Sequence, residues 1–145
     1  MLIENPLNSF ELAFPILECF HIVGFAIAIG SIALVDFRLL GWGLRRQDPA
    51  DLVKETGLWV LIGLSTSVFA GLLLYSTDPD KYYLNSIFVI KMVCLVLAIA
   101  FNYTLHRKAV LPGTSSARGK LVACVSLALW ASVVAGGMFI AFIAV

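Results

Sequence analysis

Four apolar runs, each of about the length needed to cross a bilayer, divide this chain and leave only short polar connections between them. They read as Phe14–Leu40, Leu58–Tyr75, Leu84–Leu105 and Leu121–Val145, against roughly 20 residues for a spanning helix. The expected fold is therefore all-α and integral to the membrane: a four-helix antiparallel bundle. With 61% hydrophobic and 13% charged residues, nothing of soluble-domain size remains outside the runs, so residues 1–145 are expected to form one domain. Glu4 and Glu11 precede the first run and no basic residue does, so a cleavable signal peptide is not expected.

The connections carry turn and capping chemistry. Asp48 followed by Pro49 is a helix start, with an N-cap carboxylate and a proline at the first helical position. Turns are expected at Thr77-Asp78-Pro79-Asp80-Lys81 and at Leu111-Pro112-Gly113-Thr114-Ser115-Ser116. Basic residues are unevenly shared among these connections. Arg38, Arg45, Arg46 and Lys54 flank the first, and Arg107, Lys108, Arg118 and Lys120 the third; the second has Lys81 beside two aspartates. By the positive-inside rule, the first and third connections are expected in the cytoplasm and both termini on the outer, periplasmic side of a bacterial inner membrane. Tyr75, Tyr82 and Tyr83 would then form an outer aromatic belt.

Ionisable residues inside the runs are the main functional signal, because they are costly in hydrocarbon and survive where they line a polar interior or bind something. His21 lies seven residues into the first run and Lys91 seven into the third, so both sit about 10 Å below the outer end of their helices. Asp36 and His106 follow them by fifteen residues each. Two polar layers result: an outer one of Glu18, His21 and Lys91, and an inner one of Asp36, Arg38, His106 and Arg107. Charges near the interface snorkel and pair, so the inner layer reads as a structural ion-pair cluster. A hydrogen-bonded cluster that only ties helices together is the plain alternative for the outer layer.

Small residues beside the outer pair point to a bound group. His21, Gly24, Ala28 and Ser31 share one helix face, and Lys91, Cys94, Ala98 and Asn102 share another. A planar macrocycle needs an axial ligand above a flat groove, and imidazole is a common ligand of haem iron. One haem per chain is expected, with His21 and Lys91 as metal-site residues, Lys91 either as second ligand or as partner of a propionate, and Gly24, Ala28 and Ala98 as cofactor contacts. A depth difference of about 22 Å prevents His21 and His106 from ligating a single iron. Gly63, Ser67 and Gly71 on the second helix read as close helix packing.

The stretches Phe20-His21-Ile22-Val23-Gly24 through Gly30, and Ile90-Lys91-Met92-Val93-Cys94-Leu95 through Asn102, resemble the HemJ-type protoporphyrinogen oxidases and the wider copper-resistance-D-like group. Asp36-Phe37-Arg38-Leu39-Leu40-Gly41 is similar to a motif of small four-helix bacterial membrane proteins with an upstream histidine. The resemblance implies haem b, with His21 and Lys91 as the functional pair, and a haem-dependent oxidoreductase activity. An electron-transfer role with a porphyrin-like or quinol donor is the resulting expectation, and a membrane quinone or a periplasmic redox protein the expected partner. Copper handling is the runner-up, through Cys19, His21, Met92 and Cys94 at one depth with soft ligands for Cu(I). Cys19 and His21, however, are about 200° apart around their helix. A non-catalytic subunit of a larger membrane complex is the third reading, docking through Trp130, Ser132 and Gly136; a homo-oligomer is the related possibility. Membrane lipid is an expected contact, and a net charge of +1 gives no pull toward nucleic acid. No phosphate loop, zinc motif or hydrolytic triad is present.

Overall fold

The computed structural model of the chain describes residues 5–143, so Glu4 and the last two residues of the fourth apolar run lie outside the described residues. Among the described residues there are helices and turns and no strand. Four helical segments are long and apolar enough to cross a membrane. The first is α1 (Ala13–Leu40) and the second α2 (Pro49–Thr77); a one-turn α3 (Pro79–Tyr83) follows. The third segment is continuous from Ser86 to Ala109, made of α4 (Ser86–Phe101), a π-helical turn (Asn102–His106) and α5 (Arg107–Ala109). The fourth is α6 (Ser116–Ile143).

Local chemistry explains the boundaries. α1 ends at Gly41, whose φ of 81° is the left-handed conformation that glycine adopts without strain. Its N–H bonds back to Arg38, and Trp42 N–H bonds to the Phe37 carbonyl, a C-terminal cap of the Schellman kind. α2 starts at Pro49 because Asp48 accepts from Ala50 N–H at 2.8 Å. The helix thus begins nine residues before the apolar run at Leu58, and its first turns carry exposed Asp51, Lys54 and Glu55. A helix boundary follows the cap, whereas the run follows hydropathy. The same correction applies to α6, which starts five residues before Leu121. The segment expected to be a simple turn at Thr77–Lys81 contains instead the start of α3, with Asp78 accepting from Lys81 N–H. Asn85 then caps α4 by accepting from Ile87 N–H at 2.9 Å.

α1 packs along α2 and against α6, and α6 packs against α4. Small residues let these backbones approach, as is common between helices in lipid. A Cβ on Gly63 would lie 2.5 Å from the Gly24 carbonyl oxygen and 2.7 Å from Ala28 N, so two backbones are in direct contact there. The buried cluster comprises Ala28, Ile32, Val60, Leu64, Ala98, Trp130 and Val133. Around it the outer surface is apolar: Phe20, Ile22, Leu72, Val96, Leu121 and Phe142 are each more than half exposed. In water such a surface would be untenable; in a bilayer it is the lipid contact. The chain is a multi-pass membrane protein in architecture.

At one end of the bundle Tyr75 stacks on Phe88 with 5.7 Å between ring centroids, and Tyr82 meets both rings. Tyr83, the third tyrosine of the expected belt, follows Tyr82 at the end of α3 and is 70% exposed. Asn5 also reaches this end, donating to the Ser76 carbonyl at 2.8 Å, and Asn8 donates to that of Thr77. These bonds satisfy carbonyls that the end of α2 leaves without helical partners. The opposite end carries Arg38, Arg45, Arg46, Arg107 and Lys108.

Candidate functional site

Near the tyrosine end, His21 of α1 is oriented by α2. Its Nδ1 lies 2.7 Å from the Ser67 carbonyl oxygen, and the Ser67 hydroxyl is 3.1 Å from the same nitrogen. A carbonyl can only accept, so Nδ1 carries the proton and Nε2 keeps its lone pair. Gly71, one turn beyond Ser67, makes the approach feasible. A Cβ there would lie 3.0 Å from His21 Cε1 and 3.1 Å from Nδ1. The ring is parallel to that of Phe25 at 6.4 Å, and Phe25 meets Trp130 edge-on.

Lys91 of α4 is accommodated in the same manner by α6. A Cβ on Gly136 would sit 3.0 Å from Lys91 Cβ, and one on Gly137 would sit 3.4 Å from its Nζ. Among the described residues no ion pair engages the amine. Glu18, His21 and Lys91 of the expected outer layer share no hydrogen bond or ion pair among the described residues: His21 bonds Ser67, and Lys91 packs on Gly136 and Gly137. Glu18 is exposed and acts on the connecting segment: burial pushes the Tyr82 phenol above its usual range, and the negative charges of Asp78 and Glu18 add to the shift.

The expected floor of the site is differently employed. Gly24 and Ala28 face α2 rather than an open groove; a Cβ on Gly24 would lie 2.8 Å from the Gly63 carbonyl oxygen. Ala98 is buried in the central cluster. Spacing showed correctly that these residues share faces with His21 and Lys91, but another helix occupies the surface they form. A flat group cannot rest on them in this packing. The imidazole keeps one ring nitrogen free, as a metal ligand requires, and the face expected to hold a flat group beneath it is covered by α2 instead.

The inner layer also resolves differently from the expected four-residue cluster. Asp36 and His106 pair directly, Nε2 to Oδ1 at 2.7 Å, and Ser126 of α6 donates to Oδ2 at 2.8 Å. All three are buried. Arg38 instead donates to the Gln47 carbonyl at 2.7 Å, holding the first connection. Arg107 is exposed and lies over the Tyr103 ring at 4.7 Å. Ser126 was not anticipated. Its signal was a hydroxyl within the apolar stretch Val122-Ala123-Cys124-Val125-Ser126-Leu127, ambiguous because serines in membrane helices often bond their own backbone.

The alternative copper ligand set is not assembled among the described residues. Cys19 and Met92 are exposed, Cys94 is half-buried, and among the described residues no group of three or more His, Cys, Asp or Glu could hold a metal ion. The proposed docking face on the last helix is also divided: Trp130 is in the core, Gly136 faces Lys91, and Ser132 bonds the Ala128 carbonyl. No curated protein and no solved structure matches the chain. Residues 13–143 match a family model described as a family of unknown function, and the chain belongs to that family, DUF6644.

Proposed function

We propose that the chain is a b-type haem protein of the bacterial inner membrane with an electron-transfer role, and that His21 is its iron ligand. The observation that supports this reading is the bond from His21 Nδ1 to the Ser67 carbonyl. Ligating histidines typically donate their second ring nitrogen to a carbonyl or carboxylate, which sets the tautomer and the ring's orientation. Here an intramembrane imidazole is held in that state by a neighbouring helix. Lys91 would serve the cofactor either as a second ligand, through a neutral amine, or as a cation beside an acidic group. Gly24, Ala28 and Ala98 are not part of the contact surface, which leaves His21 and Lys91 as the residues available to it. The bound haem would supply a one-electron centre. A porphyrin-like or quinol donor, and a quinone or periplasmic acceptor, are the partners in this reading.

The full chain purified from cells supplied with haem precursor should show a Soret band and a pyridine haemochrome signal. His21→Ala should lose both, with its helical content retained. A folded preparation without these signals, or a His21→Ala variant with unchanged haem content, would overturn the proposal. Lys91→Met should lower haem retention.

A further inference from the structure

We infer that Asp36 and His106 form a proton-exchange site, served by one water molecule from the arginine-rich end of the bundle. This site is independent of His21 and of the haem proposal. Both oxygens of Asp36 accept, one from His106 Nε2–H and one from the Ser126 hydroxyl. The carboxylate is therefore held as an acceptor on both sides by two other helical elements. Because Nε2 donates to Asp36, a neutral His106 keeps its lone pair on Nδ1, and among the described hydrogen bonds none uses that nitrogen. His106 also lines a cavity of about 20 Å³ together with Asn102, Thr56, Tyr103 and Arg107. A single water needs roughly 10–15 Å³ and two to four polar partners, so the space and its lining suit one water.

A purely structural tie between α1, α6 and the third segment would not need this chemistry. An uncharged side chain could accept from Ser126 and His106 without the cost of burying a carboxylate beside an ionisable ring. Carboxylate–imidazole couples with a solvent-side nitrogen are suited to taking up and releasing protons. The backbone is unusual at the same place. Asn102–His106 is π-helical, a departure that recurs at functional sites. The step balances simply: a hydronium ion in the cavity gives its proton to Nδ1 and leaves water, and the imidazolium is countered by Asp36. Release reverses the transfer. The groups facing His106 are Asp36 from α1 and Ser126 from α6, with Val53, Thr56 and Val60 lining its cavity from α2. Arg107 and Tyr103 line it from His106's own segment. Arg107 is the cation at this cavity.

The chain has two histidines, which makes the test direct. The full chain, labelled with ¹⁵N-histidine and placed in phosphatidylcholine–phosphatidylglycerol nanodiscs, is titrated across the neutral pH range by NMR. His21→Gln assigns the two rings. The expected result is a reversible shift of the His106 ring nitrogens between neutral and imidazolium positions, with an exchange peak between ring N–H and water. Val53→Ile, which adds one methylene at the cavity wall, should lose that exchange peak while the Asp36–His106 bond persists. A His106 ring that stays in one protonation state throughout, or an exchange peak that survives the filled cavity, would overturn the proposal. Because the titration uses the unaltered sequence, failure of the variant to fold would leave the first criterion in force.

Discussion

A methyl group added at Gly24 would lie 2.8 Å from the Gly63 carbonyl oxygen and 2.9 Å from Ser67 N, and both are backbone atoms that cannot rotate away. Overpacking of this kind costs about 1–3 kcal/mol, because the only relief is to separate α1 from α2. Gly24→Ala and Gly63→Ala should each lower the unfolding midpoint in detergent. Gly30→Ala is the matched control: nothing lies within 4 Å of its added Cβ, and no loss is expected. Equal midpoints for Gly24→Ala and Gly30→Ala would show that the contact is not tight in solution. The separation of α1 from α2 would also move the Ser67 carbonyl from His21, so Gly24→Ala tests positioning as well as packing. At this scale the sequence was partly legible. His21 and Lys91 stood out because charge inside an apolar run has few explanations. The role of Gly24 was misread because periodicity tells which residues share a face and not what covers it. Asp36 illustrates the opposite case. It looked like an interfacial charge and is fully buried, so Asp36→Ala strands both the His106 and Ser126 donors. Loss of one partner of a buried pair costs about 3–5 kcal/mol, so that variant should be among the least stable.

Among the elements, α2 joins both sites. Its middle holds Ser67 against His21, and its first turns supply Val53 and Thr56 to the cavity beside His106. Those first turns project beyond the apolar run and are held by the Asp48 cap and by the buried Leu52 side chain. Its surface pair is weak: Lys54 and Asp51 are 3.6 Å apart with side chains 79% and 69% exposed. Removing the cap in Asp48→Ala should cost about 1 kcal/mol, localised to the start of the helix. Hydrogen exchange followed by mass spectrometry should show faster exchange over residues 50–56 and no change around Ser67. Uniform acceleration along α2 would mean that the helix opens as one unit. Capping residues were readable in advance because their chemistry is local: Asp48 and Pro49 are adjacent. The π-helical turn was not readable. No residue in Asn102-Tyr103-Thr104-Leu105-His106 demands it, and Asn102 and His106, four positions apart, would share a face in an ordinary α-helix as well.

For the molecule as a whole, the unequal ends of the bundle make the argument about orientation. Arg38 and Arg45 are tied to backbone carbonyls at the arginine end, through Gln47 and Gly41. Those bonds fold the basic first connection into a compact turn that stays at the surface. The other end has tyrosines, Asp78, Asp80 and one lysine, Lys81. Moving the first connection across the membrane would carry Arg45 and Arg46 with it, and the third connection would carry Arg107, Lys108, Arg118 and Lys120. Translocation of short connections is biased by just such basic residues. The expected arrangement therefore keeps both connections on the cytoplasmic side and, with four spans among the described residues, both termini on the other. A chain with Cys19, Cys94 and Cys124 replaced by serine, and a single cysteine at Gln47, should resist a membrane-impermeant maleimide until cells are permeabilised. The same chain with its cysteine at Asp80 should be labelled in intact cells. The reversed pattern would place His21 on the cytoplasmic half of the bilayer and the Asp36–His106 pair on the outer half. Electron partners and proton source would then exchange sides, so this one labelling experiment decides the direction of every transfer proposed for the bundle.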